Sequence, residues 1–422
     1  MDPIVRRALE RGITAFLLMF VLGSGVVLAV GSIGGDGGDG ASASPDPSAS
    51  PGASLAPVAE TPRAYLVWVP GGFPETFAEE LTTIGAVKRA AVATAGVAWL
   101  TRSTDADGDV VDDPDPPYMV PLEVTGTDPQ AFASFLPSGE GRDLLAGLEP
   151  GQAILSTSSA KLRGLGEGAT LTVDPGLDLE VVGTLPDVVM GAYEMLVPRL
   201  TAERIGAGLP RYALLRLRAG ADPPVARLTE DLLELFGRQV RDPAVEVRRP
   251  GDVEFLRAHD RSAPPIVLKH RFGEFTAYPD PSERAALNID QAWIEDELDL
   301  RELPRLGAVE CHRKMLQQLK KAMVDLTLEA SLGDIGPCFD DTWAPDLPQG
   351  TLPAALWGAA IRVNIALNQP GNPPLLDARV VETMTAWGFR WAGEDAYPDG
   401  ALFEFLELAP RGGAASPAPG EA

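Results

Sequence analysis

With 422 residues, 45% of them apolar, the chain is long enough for two or three domains that each bury a core. Its 60 acidic against 35 basic residues give a formal charge of −25, which repels phosphate backbones at long range and argues against nucleic acid as a partner.

Residues 13–30, ITAFLLMFVLGSGVVLAV, carry no charge. As a helix they would span about 27 Å, close to the hydrocarbon thickness of a bilayer. Arg6, Arg7 and Arg11 precede this segment and Asp36 and Asp39 follow it. The positive-inside rule then leaves residues 1–12 in the cytoplasm and the bulk of the chain outside. An apolar run of 18 residues exceeds a signal-peptide core of about 7–15. The expectation is a retained signal-anchor and a single-pass protein of the cell membrane, although Ala29-Val30-Gly31 also suits cleavage. Residues 31–63 collapse to Gly, Asp, Ala, Ser and Pro, a composition too poor in apolar surface to offset ordering entropy, and read as a disordered tether.

Residues 64–250 read as a mixed α+β domain. AYLVWVP, VAWLT, ATLTV and LEVVGTL have strand character, FAEELTTIGAV reads as a short helix, and LTEDLLELFGRQV as an amphipathic helix with Leu228, Leu232, Leu233 and Phe236 on one face. No fixed-period repeat and no Gly-rich phosphate loop is present. Residues 144–199, LLAGLEPGQAILSTSSAKLRGLGEGATLTVDPGLDLEVVGTLPDVVMGAYEMLVPR, run as a Pro-Gly turn, a strand, a small helix with a Gly-rich end, and paired strands. In this order they resemble the extracytoplasmic core domain of MacB-like and FtsX-like transporter permeases. Such permeases carry several membrane helices and this chain offers one, so the resemblance implies an interaction module rather than transport.

Cys311 and Cys338 are the only cysteines, and in an oxidising compartment the pair predicts a disulfide. Closing that loop would stabilise its domain by about 3–4 kcal/mol. Residues 265–408 contain FGEF, WIEDEL, LPRLGAVECHRKMLQQL, GPCFDDTW, LWGAAIRVNIALN, LLDARVVETMTAWGFRWAG and PDGALFEF. In order and spacing these resemble the VanY-like zinc D-alanyl-D-alanine carboxypeptidases, which implies a small α+β fold of that type. That family holds zinc with a His and an Asp in S-x-H-A-W-G-x-A-x-D-x-N and a second His in P-D-G-M-H-F-E.

Trp357, Gly358 and Asn364 fix the register of that comparison, and the ligand positions then fall at Ala355, Arg362 and Leu402. A methyl, a guanidinium and an isobutyl group offer no lone pair to a metal. The resemblance therefore implies a domain without zinc or other cofactor, in which Asp399 keeps the general-base position but has no activated water to deprotonate. The Arg expected after Cys338 is replaced by Asp340, Asp341 and Thr342. His259, His270 and His312 lack partners at metal-ligand spacing, and His312 reads as a helix-start histidine. Arg362 is placed to pair with Asp399. Trp293, Trp357, Trp387, Phe389 and Trp391 read as core more than as a sugar platform, with Trp357, Asn364 and Trp391 retained as binding candidates. WIEDELDLREL reads as a solvated helix face, lacking a calcium-loop pattern. Residues 411–422 read as a disordered tail.

The expected fold class is α+β, with a transmembrane helix, a disordered linker, a mixed middle domain and a carboxypeptidase-like last domain. The expected function is a membrane-anchored extracytoplasmic protein whose inactive carboxypeptidase-like domain binds cell-wall peptide or a protein partner. Two alternatives stand beside it: an active peptidoglycan metallopeptidase with an unusual site, and an accessory subunit of an envelope ABC transporter.

Overall fold

The structure, a computed structural model, describes residues 64–406 apart from 70–71, 75–76, 221–224, 238–244, 250–252, 254–255, 259–261, 281, 283–284, 327–331, 344–351 and 396. The apolar segment 13–30, the tether 31–63, the tail 411–422 and His259 lie outside the described residues. Among the described residues no helix is long and apolar enough to cross a membrane.

The N-terminal region is built on β1 (Ala64–Trp68), β2 (Val87–Thr104), β3 (Val110–Asp112), β4 (Val120–Thr127), β5 (Gln152–Ser156), β6 (Thr170–Val173), β7 (Leu177–Leu185), β8 (Met195–Pro198), β9 (Leu209–Leu217) and β10 (Glu246–Arg248). They form one sheet in the order β10-β1-β9-β2-β4-β8-β5-β7-β6, with β3 beside β2. β1 is buried at every residue because it lies between β10 and β9 with layers on both faces, which is why it reads as an unbroken apolar run.

β2 decides the architecture. Its 18 residues pair with β9 through the first half, with β4 through the middle, and with β6 from Leu100 to Thr104. The last pairing closes β2, β4, β8, β5, β7 and β6 into a barrel-like ring, filled by Ala98, Leu100, Leu122, Val124, Leu155, Val173, Val181 and Val197. Gly96 lets the chain segment at Gly206 and Ala207 lie directly on β2, since a Cβ there would stand 2.8 Å from the Ala207 Cα. On the open arm of the sheet, the helix Val225–Gly237 buries Leu228, Leu232 and Phe236 against Phe73 and Phe77.

The helix expected from FAEELTTIGAV stops at Leu81. The Thr82 and Thr83 hydroxyls donate to the carbonyls of Glu79 and Glu80 at 2.7 and 2.6 Å, closing the helix end, and β2 begins by Val87.

The C-terminal region opens with the helix Pro265–Phe272 and the hairpin β11 (Ala277–Pro279) and β12 (Leu287–Ile289). The helix Gln291–Glu297 leads into β13 (Leu298–Leu303), paired with β14 (Gly307–His312). WIEDELDLREL is therefore half helix and half strand rather than one helix face. The turn after it, with Arg305 at φ 67° and Gly307 at φ 74°, folds LDLREL back onto GAVECH. The helix Arg313–Asp325 follows, and β15 (Ala360–Arg362), β16 (Phe389–Trp391) and β17 (Leu402–Phe405) form a small sheet in the order β15-β17-β16. Cys311 and Cys338 are joined in a disulfide inside this core.

Both regions belong to the same compact unit. Met119 and Ala277 exchange backbone hydrogen bonds of 3.0 and 2.8 Å across their junction, and the Tyr118 and Tyr278 rings meet edge to face at 5.3 Å.

Candidate functional site: a cleft of paired charges and a buried ionic junction

Register brings Arg362 and Leu402 together. They are directly opposed across β15 and β17, although 40 positions apart in the chain. Ala355 lies in the short 3-10 turn Ala354–Trp357, and its carbonyl accepts from the Asp340 N–H at 3.1 Å. Asp399 precedes β17, with its N–H on the Ala392 carbonyl. Ala355, Arg362, Asp399 and Leu402 line a single cleft of about 260 Å³.

Arg362 Nη2 stands 2.5 Å from Asp399 Oδ2, with the arginine side chain 36% exposed and the carboxylate 4%. Burial raises Asp399 above its ordinary value, outweighing the guanidinium and the Ala401 N–H that lower it. Arg390, which no sequence pattern singles out, completes the wall. It donates to Glu404 at 2.9 Å through Nε and 2.5 Å through Nη2, to Asp395 at 2.6 Å, and to the Ser262 hydroxyl at 3.0 Å. Burial alone would lower Arg390, but Glu404 and Asp395 overcome it and hold the guanidinium above its ordinary value. The cleft thus sets Arg362 and Arg390 among the carboxylates of Asp340, Asp395, Asp399 and Glu404, with each guanidinium paired. Chemically it can grip a polar ligand that displaces one of these pairs.

The other candidates are elsewhere. Trp357 is fully buried with its indole N–H on the Gly273 carbonyl at 2.9 Å, and Phe275 packs between it and Trp293. Asn364 holds a left-handed turn at φ 52°, and Trp391 donates to the Gly400 carbonyl. Phe389 is buried against Phe405, and Lys321 lies over the Trp387 ring at 5.2 Å, so these aromatics do not share one open face. His312 caps the helix Arg313–Asp325: Nδ1 accepts from the Lys314 N–H, and Nε2 donates to the Phe272 carbonyl, each at 3.1 Å. His270 meets the Ser158 carbonyl. Among the described residues no group of three or more His, Cys, Asp or Glu is placed to hold a metal.

A second cluster escapes sequence reasoning. Glu194, fully buried beside β8, accepts from Arg163 at 2.9 Å, from Lys269 Nζ at 2.9 Å through Oε1, and from the Glu123 N–H at 3.1 Å. Lys269 also donates to the Pro121 carbonyl at 2.5 Å and pairs with Glu274 at 2.8 Å, and Glu274 contacts Arg163 in turn. Beside this group Arg257 forms a two-point pair with Glu123, at 2.6 and 3.0 Å, and lies 4.5 Å over the Tyr193 ring. Burial pushes the Tyr193 hydroxyl up to about 12. Arg163, Glu194 and Glu123 come from the N-terminal region, and Lys269 and Glu274 from the C-terminal one. Nothing in the local sequence around Lys269 announces a partner 75 positions away.

The model of the MacB-like periplasmic core domain matches residues 11–229, more than half of the chain. The chain belongs to that family.

Among solved structures, the periplasmic region of MacB from Actinobacillus actinomycetemcomitans is 15% identical, with a TM-score of 0.30 over 46% of this chain and 91% of its own. The extracellular domain of the noncanonic ABC-type transporter YknZ from Gram-positive bacteria is 13% identical, with a TM-score of 0.29 over 44% of this chain and 99% of its own. No curated protein matches.

Membership of the MacB-like family makes this an extracytoplasmic domain protein and corrects the peptidase-like, cell-wall and peptidoglycan reading of the last third. The landmarks that carried that reading have structural roles. Trp357 is a core residue. Gly358 is a left-handed turn, φ 62°, where a Cβ would stand 2.8 Å from Leu298 Cδ2 and 2.9 Å from the His312 backbone N. Asn364 is another left-handed turn. They report backbone geometry, not chemistry.

Proposed function

We propose that this MacB-like protein is an accessory subunit of an envelope ABC transporter, held to the membrane by one helix over residues 13–30 and acting through a protein partner outside the cytoplasm. The observation that carries the reading is the family match from residue 11 to 229, which spans the apolar segment and the closed ring together. The buried ionic junction supports it, because it joins the ring and the C-terminal region into a single body that can present a fixed surface. In this reading the Arg362–Asp399 cleft is a structural ion pair and needs no cofactor.

The test is affinity purification of the full chain from solubilised membranes. Stoichiometric recovery of a multi-span permease with its ATPase supports the assignment, and recovery of the chain alone after cross-linking contradicts it.

A further inference from the structure

A cavity of about 410 Å³ opens where the ring meets the C-terminal region. Val97 and Ile205 line it, and Trp99 and Trp343 stand against each other at 5.8 Å with their rings 81° apart. Trp99 is partly exposed and Trp343 is 6% exposed, so Trp99 offers the accessible indole of the cavity and Trp343 backs it at right angles to make an aromatic corner. The carboxylates bordering it are Asp174, exposed on the turn after β6, and Asp280, which accepts from the Ser282 N–H at 2.7 Å and the Asn288 amide at 3.2 Å. Among the described residues one cation, Arg204, borders it as well. Asp174 is thus the exposed carboxylate of the lining, whereas both Asp280 oxygens are already engaged by Ser282 and Asn288.

We propose that this cavity binds a small organic cation with an apolar body. The volume lies within the range of ligand sites, about 300–1,000 Å³. Aromatic faces attract a cation through their negative quadrupole, and a quaternary ammonium suits such a corner because it asks for no hydrogen bond. Asp174 supplies the compensating charge, and Arg204 opposes it. The inference is independent of the accessory-subunit reading, since it requires neither the membrane segment nor a partner.

The experiment uses the full chain in nanodiscs, with empty nanodiscs subtracted, titrated with benzyltrimethylammonium and with benzenesulfonate as an anion of matched size. Saturable one-to-one binding of the cation with a change in tryptophan fluorescence is expected. Trp99→Leu weakens it about tenfold, Asp174→Asn weakens it several-fold, and Arg204→Ala tightens it. Asp174 is at the surface, so its variant reads binding even where the Trp99 variant folds poorly. The proposal is overturned if the cation fails to saturate by about 10 mM, if benzenesulfonate binds as tightly, or if Asp174→Asn leaves the affinity unchanged.

Discussion

Lys269 Nζ lies 2.9 Å from Glu194 Oε1, with the two side chains 1% and 0% exposed. The lysine belongs to the first helix of the C-terminal region and the glutamate to the ring, so this pair fastens one to the other. Removing the lysine leaves the Arg163–Glu194 pair short of one cation and the Pro121 carbonyl without its donor. Lys269→Ala is expected to destabilise the protein by about 3–5 kcal/mol, because an uncompensated charge remains buried. Chemical denaturation checks the figure. Lys269→Met combined with Glu194→Gln should recover some of the loss, which separates charge imbalance from lost packing.

The Arg362–Asp399 pair should behave more mildly. The guanidinium is 36% exposed, so solvent screens it, and Arg362→Ala is expected to cost about 1–2 kcal/mol at neutral pH. The pH dependence has a definite sign. Asp399 is raised in the folded state, mainly by burial, so its ionisation opposes folding and its contribution is favourable in acid and lost as pH rises through the folded value. The penalty of Arg362→Ala should therefore shrink toward pH 4, and melting curves of both proteins across pH 4–8 would show it.

His312 gives the opposite slope. Burial lowers it below the ordinary histidine value of 6.5, against the Phe272 carbonyl and Glu297, which raise it. The unfolded chain takes up a proton that the folded chain refuses, so stability from this residue is present above the unfolded value and lost as pH falls below it. Protonation at Nδ1 would also remove the acceptor for the Lys314 N–H. His312→Asn, which keeps a capping side chain, is expected to flatten the loss of melting temperature between pH 7 and pH 5.

Some of this was legible in the sequence because it is local. From 152 to 185 the strand QAILS, the Ser156 N-cap, the left-handed Gly164 and the two strands after it follow the order in which the turn and strand signals appear. The same locality explains the misreading of the last third: Trp357, Gly358 and Asn364 encode turns and core packing, which different functions can share. Closure of the ring was not legible, since it depends on the far end of β2 reaching β6, where Leu100 meets Val173. Nor was the ionic junction, because a buried lysine and a surface lysine look alike in one dimension. Arg390 lay in the same blind spot, between Glu404 and Asp395.

The disulfide offers an independent check on the C-terminal region. Cys311 and Cys338 are 27 positions apart, and the chain-entropy model assigns such a loop about 3.5 kcal/mol. Replacing both cysteines with alanine should lower the denaturation midpoint accordingly, and reducing agent should do so in the native protein but not in the double variant.

Engagement of a transporter permease by the MacB-like region of this chain is the interaction that the proposed function requires. Photo-reactive residues placed in living cells at exposed positions of that region, Leu200 and Leu209, and of the C-terminal region, Leu367 and Leu375, test it most directly. Adducts with a multi-span permease are expected from the first pair. Adducts only from the second pair, or with cell-wall enzymes instead of a permease, would contradict it.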